Sequence, residues 1–359
     1  MKKEVYFIRA SRDDGPELIA QKALAIYRAL GFNEKIEAED FVALKIHFGE
    51  NKNTGHIKPQ WLAGIIDDVL KRSNRAFLSD SNTLYVGRRS NSVDHIRLAW
   101  EHGFRPETVR IPVIIADGLV GREKVELKVG GTQVQSSRIS SAFLSSQAMI
   151  CLTHVTGHVQ TGVGAAIKNL GMGCASRAGK LDQHSVVHPR VSGKQCRNCG
   201  VCLDYCPAEA IKQIQNQVVI DDEKCIGCGE CLVVCRFGAI KMRWDEDSRR
   251  LQEKMAEYAL SVKNHFQPKI CFLNFILQVT KDCDCLARNQ TGFVRDVGIA
   301  GSFDPVAIDR ASIDLVNQAA GLDAFRQGYD LDWSIQLAHG EKIGLGSQDY
   351  KLIEIGQSQ

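Results

Sequence analysis

Along the first 150 residues the apolar positions switch repeatedly between two periods. Val5–Ile8 is a short apolar run. Leu18, Ile19, Ala23, Ile26, Tyr27 and Leu30 then recur at helical spacing up to Gly31, a pattern that predicts an amphipathic helix with a glycine stop. Phe41–Phe48 alternates as a strand, and Pro59 opens a helix with Trp61, Leu62, Ile65, Ile66 and Leu70 on one face. Ala76–Leu78 leads into the polar turn Ser79–Asn82, Ser92–His102 reads as a helix ended by Gly103, and Ile111–Ile115 and Met149–Leu152 read as strands. Strands alternating with helices predict βαβ units and an α/β domain with a largely parallel sheet. The rhythm resumes late in the chain. Leu251, Met255, Tyr258, Val262 and Phe266 form a helical stripe, followed by strands over Ile270–Val279 and Val297–Ala300 and a helix over Pro305–Ala320.

Between these stretches lies a cysteine block with its own repeat. Cys196, Cys199, Cys202 and Cys206 are spaced C-x2-C-x2-C-x3-C and followed by Pro207; Cys225, Cys228, Cys231 and Cys235 repeat the spacing. This is the bacterial two-cluster ferredoxin pattern, in which the fourth cysteine of each run serves the other cluster. The expected ligand sets are therefore Cys196, Cys199, Cys202 and Cys235 for one [4Fe-4S] cluster, and Cys225, Cys228, Cys231 and Cys206 for the second. Gly200, Gly227 and Gly229 allow backbone amides to approach the cluster sulfur. Zinc sites usually pair two C-x2-C hooks across a longer gap, which this spacing does not match. Arg236 stands where the pattern has a second proline, at a position that shapes the exit turn and ligates nothing. The economical organisation is an α/β host domain in two parts, residues 1–190 and 244–359, with a small α+β two-[4Fe-4S] ferredoxin-like insertion at 191–243.

Composition narrows the classes. With 45 basic and 42 acidic residues the 359-residue chain carries a formal charge of +3, which argues against a nucleic-acid partner. The longest apolar run, Ile270–Val279, is interrupted by Asn274 and is too short to span a bilayer. The N-terminus reads as a first strand, not a signal peptide. Thirteen cysteines, an odd number with eight at cluster spacing, make a secreted disulfide framework a poor fit and favour a cytoplasmic protein. The oligomeric state is not legible.

The host stretches concentrate reactive side chains just past the predicted strands. Lys45 and His47 follow one strand, Asp80 another, and His154 and His158 a third; Cys283-Asp284-Cys285 and then Ser302-Phe303-Asp304 follow two more. Gly162–Cys174, with Lys168, and then His184 and His188 lie between the third strand and the cysteine block. In open parallel sheets ligands bind beyond the carboxyl ends of the strands, so these loops are expected to line one pocket. Each residue also has a plain structural use: the histidines as loop hydrogen-bonding groups, Asp80 as a turn residue, Asp304 before Pro305 as a helix N-cap, Cys174 as a buried thiol, and Lys168 as a helix-end lysine. Gly162-Val163-Gly164 is a weak phosphate-loop signal. Cys283 and Cys285 stand open between an additional metal ion, with His154, His158 or Cys174 as partners, a redox or nucleophilic thiol pair, and unligated structural cysteines.

Ala165–Arg177, Asp282–Cys285 and Ser302–Asp309 resemble the recurrent blocks of a family of uncharacterised Fe–S centre proteins. That family carries a domain of unknown function (number 362) beside a two-cluster ferredoxin module. The resemblance spans essentially the whole chain; it implies two [4Fe-4S] clusters and an α/β host and supplies no reaction. The expectation is an oxidoreductase in which the clusters pass single electrons to a site lined by His154, His158, Lys168, Cys283, Cys285 and Asp304. Lys168 would attract an anionic substrate and a histidine would donate a proton. The alternative is a non-catalytic electron carrier or partner subunit serving a redox partner protein. A redox sensor ranks last.

Overall fold

The computed structural model describes residues 2–85, 87–184, 189–206, 208–225, 229–241 and 247–356. Of the residues singled out above, His188, Pro207, Gly227 and Cys228 lie outside this set. An eight-stranded sheet organises the chain, in the order Tyr350–Glu354, Lys3–Arg9, Gly298–Ser302, Ile270–Ile276, Ala148–His154, Val42–Lys45, Ala76–Asp80, Val113–Ile115. Every neighbouring pair is parallel except those made by Gly298–Ser302, which runs against Lys3–Arg9 and Ile270–Ile276.

Successive side chains of a strand face opposite sides of a sheet, and here both sides are covered. In Ala148–His154, Met149 and Cys151 join one apolar cluster while Ala148, Ile150 and Leu152 join the other. The helices Gly15–Ala29 and Ala63–Leu70 cover the second face, and Ala166–Gly171, Ser248–Phe266 and Pro305–Ala320 the first. The continuous apolar runs in the sequence are those of a sheet buried on both faces.

The chain leaves Val42–Lys45 for a helix on one face and Ala148–His154 for a helix on the other. These two strands are neighbours. Their carboxyl ends therefore flank a topological switch point, the place where open α/β sheets leave a crevice.

Residues 190–241 lie between Ala148–His154 and Ile270–Ile276, strands that pair directly with each other. This excursion adds nothing to the large sheet. It forms the two-stranded ladders Arg190–Val191 with Ile240–Lys241 and Ile211–Ile214 with Gln217–Ile220, packed around a small cluster of Cys202, Ile211, Val218, Cys231 and Ile240. Among the described residues no helix is long and apolar enough to cross a membrane.

Candidate active site

A cleft of about 800 Å³ opens at the switch point, a volume ordinary for a small-molecule site. Its floor is a buried charge network. Lys45 Nζ lies 3.0 Å from Asp80 Oδ1 and donates to Asn169 Oδ1 at 2.8 Å. Arg89 spans Asp80 (3.4 Å), Glu50 (3.2 Å) and the Tyr85 hydroxyl (2.6 Å). Burial alone would raise the Asp80 pKa, but Lys45, His47, His95 and Arg89 outweigh it and hold the carboxylate well below its usual range. Gly173 leaves room for this arrangement, because a Cβ there would come within 2.8 Å of Lys45 Nζ. Lys180 is equally committed, donating to the Ser81 hydroxyl and to the carbonyls of Asn82 and Ala175.

Lys168 differs. Its side chain lines the cleft from Ala166–Gly171 and passes over Gly164. No hydrogen bond or ion pair among the described residues engages its ammonium. Burial, with Arg89 nearby, brings its pKa down to about 8. Among the described residues it is an uncommitted cation of the site.

The two histidines have unlike roles. His154 Nδ1 is 2.9 Å from Asp284 Oδ2, and Nε2 is 2.9 Å from the Leu277 carbonyl oxygen. Both ring nitrogens face acceptors, an arrangement that favours the doubly protonated ring. Burial opposes that charge, but Asp284 and the two carbonyls raise the pKa above the ordinary value. The His158 Nδ1 instead accepts from the backbone N–H of Thr161 at 3.2 Å, which leaves Nε2 as the protonated nitrogen of a neutral ring. Burial, with Lys168 and His184 nearby, holds the His158 pKa well below its usual value.

The sulfur atoms of Cys283 and Cys285 are joined as a disulfide. A ring nitrogen of His158 lies within 4.8 Å of both. The approach depends on Gly157: a Cβ there would sit 2.2 Å from the Lys281 carbonyl oxygen. Of the partners expected for these cysteines, His154 is committed to Asp284, and Cys174 is a buried thiol close to Cys151.

Asp304 is not in this cleft. The expectation treated it as another strand end at the same edge, but Gly298–Ser302 is reversed, and Ser302 sits beside Phe272 near the amino end of Ile270–Ile276. Asp304 therefore lies at the opposite edge, where it caps Pro305–Ala320 by accepting from the N–H groups of Val306 and Ala307 at 3.0 Å. Asp309 is an internal ligand of the fold, accepting from the N–H groups of Ala166 and Ile167; burial raises its pKa to about 7. Conversely, Glu50, Tyr85, Arg89 and Lys180 belong to the site without having been singled out.

In the cysteine-rich unit, Cys196, Cys199, Cys202 and Cys235 line one small cavity together with Gly200, Phe237 and Ala239. Cys206 is not among the residues that line it. The fourth cysteines of the two runs are treated alike: the Cys206 Sγ accepts from the Ala210 N–H and the Cys235 Sγ from the Ala239 N–H, both at 3.2 Å. Such amide bonds favour a negatively charged sulfur ligand. With Cys228 outside the described residues, the second set is represented by Cys206, Cys225 and Cys231.

This unit packs against the helix Arg177–His184. A Cβ on Gly229 would lie 3.6 Å from Leu181 Cδ2 and 3.9 Å from Ala178 Cα, and Arg122 stacks over the Tyr205 ring at 4.6 Å. Ala178 and Leu181 lie on Arg177–His184, whose Lys180 and His184 line the cleft.

A family model described as a domain of unknown function, DUF362, matches residues 42–314. No curated protein matches the chain. Among solved structures, a protein from Thermotoga maritima aligns at 7% identity and a TM-score of 0.45, covering 86% of this chain and 59% of that one. The lactate racemase apoprotein from Thermoanaerobacterium thermosaccharolyticum aligns at 9% identity and a TM-score of 0.44, covering 89% and 58%. The chain thus spans less than two thirds of the length of either.

Proposed function

The chain belongs to the DUF362 family, and we propose that it is an iron–sulfur oxidoreductase acting on a small anionic substrate in the cleft. Cys196, Cys199, Cys202 and Cys235 would hold one [4Fe-4S] cluster, and Cys225, Cys228, Cys231 and Cys206 the other, within an inserted ferredoxin-like unit. When bound, such clusters supply electrons one at a time. The observation that carries the reading is the double use of Arg177–His184: one face lines the cleft and the other supports Gly229 of the second cysteine loop.

The remaining chemistry belongs to the cleft. Lys168 is placed to bind an anionic group, and an ammonium with a pKa of about 8 also holds a proton that it can release near neutral pH. His158, a neutral ring with Nδ1 occupied, can donate a hydrogen bond to a ligand from Nε2. His154 is a fixed counter-charge for Asp284, so the proton-donor role given to a histidine by the sequence passes to Lys168. Leu84, Leu152 and Leu286 supply apolar walls, which favours a substrate with an apolar body.

A second reading, an electron carrier without a substrate, is favoured by the exposure of Cys199, which would leave one cluster open to a redox partner. One experiment separates the two. Anaerobically reduced protein is mixed with small carboxylate and phosphate oxidants, and cluster reoxidation is followed by absorbance. The oxidoreductase reading expects some of them to reoxidise the clusters at a rate that Lys168→Gln lowers. Reoxidation only by partner proteins, at a rate indifferent to Lys168, would overturn it in favour of the carrier.

A further inference from the structure

The loop after Ile270–Ile276 is held on both sides of its two sulfur atoms. The Thr280 hydroxyl donates to the Asp282 carbonyl at 2.7 Å, and the Asp284 carbonyl accepts from the Glu50 N–H at 2.9 Å. The Asp284 carboxylate pairs with His154, and the Cys285 carbonyl accepts from the Tyr85 hydroxyl at 2.8 Å. Between these anchors Cys283 and Cys285 are joined, with Cα atoms 5.3 Å apart. Cys283 is buried, Cys285 is partly exposed, and both border the cleft.

This bond makes a poor staple. A crosslink stabilises mainly by closing a long loop in the unfolded chain, and this one encloses a single residue. Cys151, Cys174 and Cys271, the other cysteines outside the cluster motif, are buried free thiols. A disulfide in such a protein is more often part of its chemistry than of its scaffold.

We infer that the Cys283–Cys285 disulfide is the electron-pair acceptor of the cleft, reduced through the iron–sulfur clusters to a dithiol. The inference rests on the function proposed above and names where the electrons go. Two [4Fe-4S] clusters held by the eight cysteines of the double motif would supply one electron apiece. The disulfide takes up both electrons and two protons, the S–S bond breaks, and two thiols form. The pair thereby converts single-electron delivery into two-electron chemistry beside the hydrogen-bond donor His158 and the ammonium of Lys168.

The test uses the holoprotein, purified without oxygen and adjusted to the oxidised state with a one-electron oxidant. It is titrated with dithionite, alkylated after denaturation, and the peptide carrying Cys283 and Cys285 is weighed. Iron, other metals and acid-labile sulfide are measured on the same sample. The expected result is a peptide unlabelled before reduction and doubly labelled after it. The wild type should also take up two electrons more than the double variant Cys283→Ser/Cys285→Ser at equal iron content. Full labelling of the oxidised protein would overturn the inference. So would a non-cluster metal lost in the double variant, or a disulfide that survives complete cluster reduction. Missing iron and sulfide would remove the electron source, a failure of the cluster reading that is read independently of the peptide label.

Discussion

His154 and Asp284 form a buried ion pair at 2.9 Å that ties the end of Ala148–His154 to the loop after its neighbour Ile270–Ile276, the loop carrying Cys283 and Cys285. The folded pKa of His154 is raised, so the stability it contributes is complete below the free-histidine value of about 6.5. That contribution is lost as pH rises through the folded value. The Asp284 pKa is lowered by His154, His47 and His56 against the effect of burial, so its share is lost only in strong acid. Leaving one member of a buried pair unpartnered costs roughly 3–5 kcal/mol. His154→Gln should show a loss of that order in denaturant unfolding at neutral pH. The wild type alone should show a stability decline that sets in as pH rises above about 6.5.

Asp304 gives the opposite expectation. Removing its cap from Pro305–Ala320 should cost about 1 kcal/mol, because its place at the far sheet edge separates it from the cleft. Asp304→Ala should therefore lower the unfolding midpoint while leaving anion binding and cluster reoxidation unchanged. Loss of either in the folded variant would contradict the edge assignment.

Lys168→Gln removes the uncommitted ammonium. A hydrogen bond to a charged group contributes about 1.5–3 kcal/mol, so the affinity for a small anionic ligand should fall roughly tenfold to a hundredfold. Iron content and fold should not change. In the wild type the same affinity should decline as pH passes about 8, where the amine loses its charge. Calorimetric titration across pH measures both effects.

Gly157→Ala tests the contact that brings His158 to the sulfur pair. The added methyl group would overlap the Lys281 carbonyl oxygen, and overpacking of this kind typically costs about 1–3 kcal/mol. The expected outcome is a less stable protein whose Cys283–Cys285 chemistry is impaired at unchanged iron content.

Much of the fold is legible in the sequence. The alternation in Met149–Leu152 and the helical stripe Leu251–Phe266 each reflect one element burying one set of side chains. The cysteine spacing reflects local loop geometry. Strand direction is different, because it is settled by which strands pair. Nothing within Val297–Ala300 marks it as reversed, and Asp304 was misplaced for that reason. A signal was present: no helical pattern separates Ile270–Val279 from Val297–Ala300, and antiparallel neighbours need no helical crossover. Glu50, Tyr85 and Arg89 escaped because they sit in loops without periodicity and meet only when the strand ends converge. The edge strand Tyr350–Glu354 gives a weak apolar signal, because three of its five residues are exposed.

The most direct test of the central claim is the iron and acid-labile sulfide content of the chain purified without oxygen. Two [4Fe-4S] clusters predict about eight iron atoms and about eight sulfides per chain, with roughly half of both lost in Cys199→Ser. Zinc bound at these cysteines without labile sulfide would contradict the account, as would an iron content that Cys199→Ser leaves unchanged.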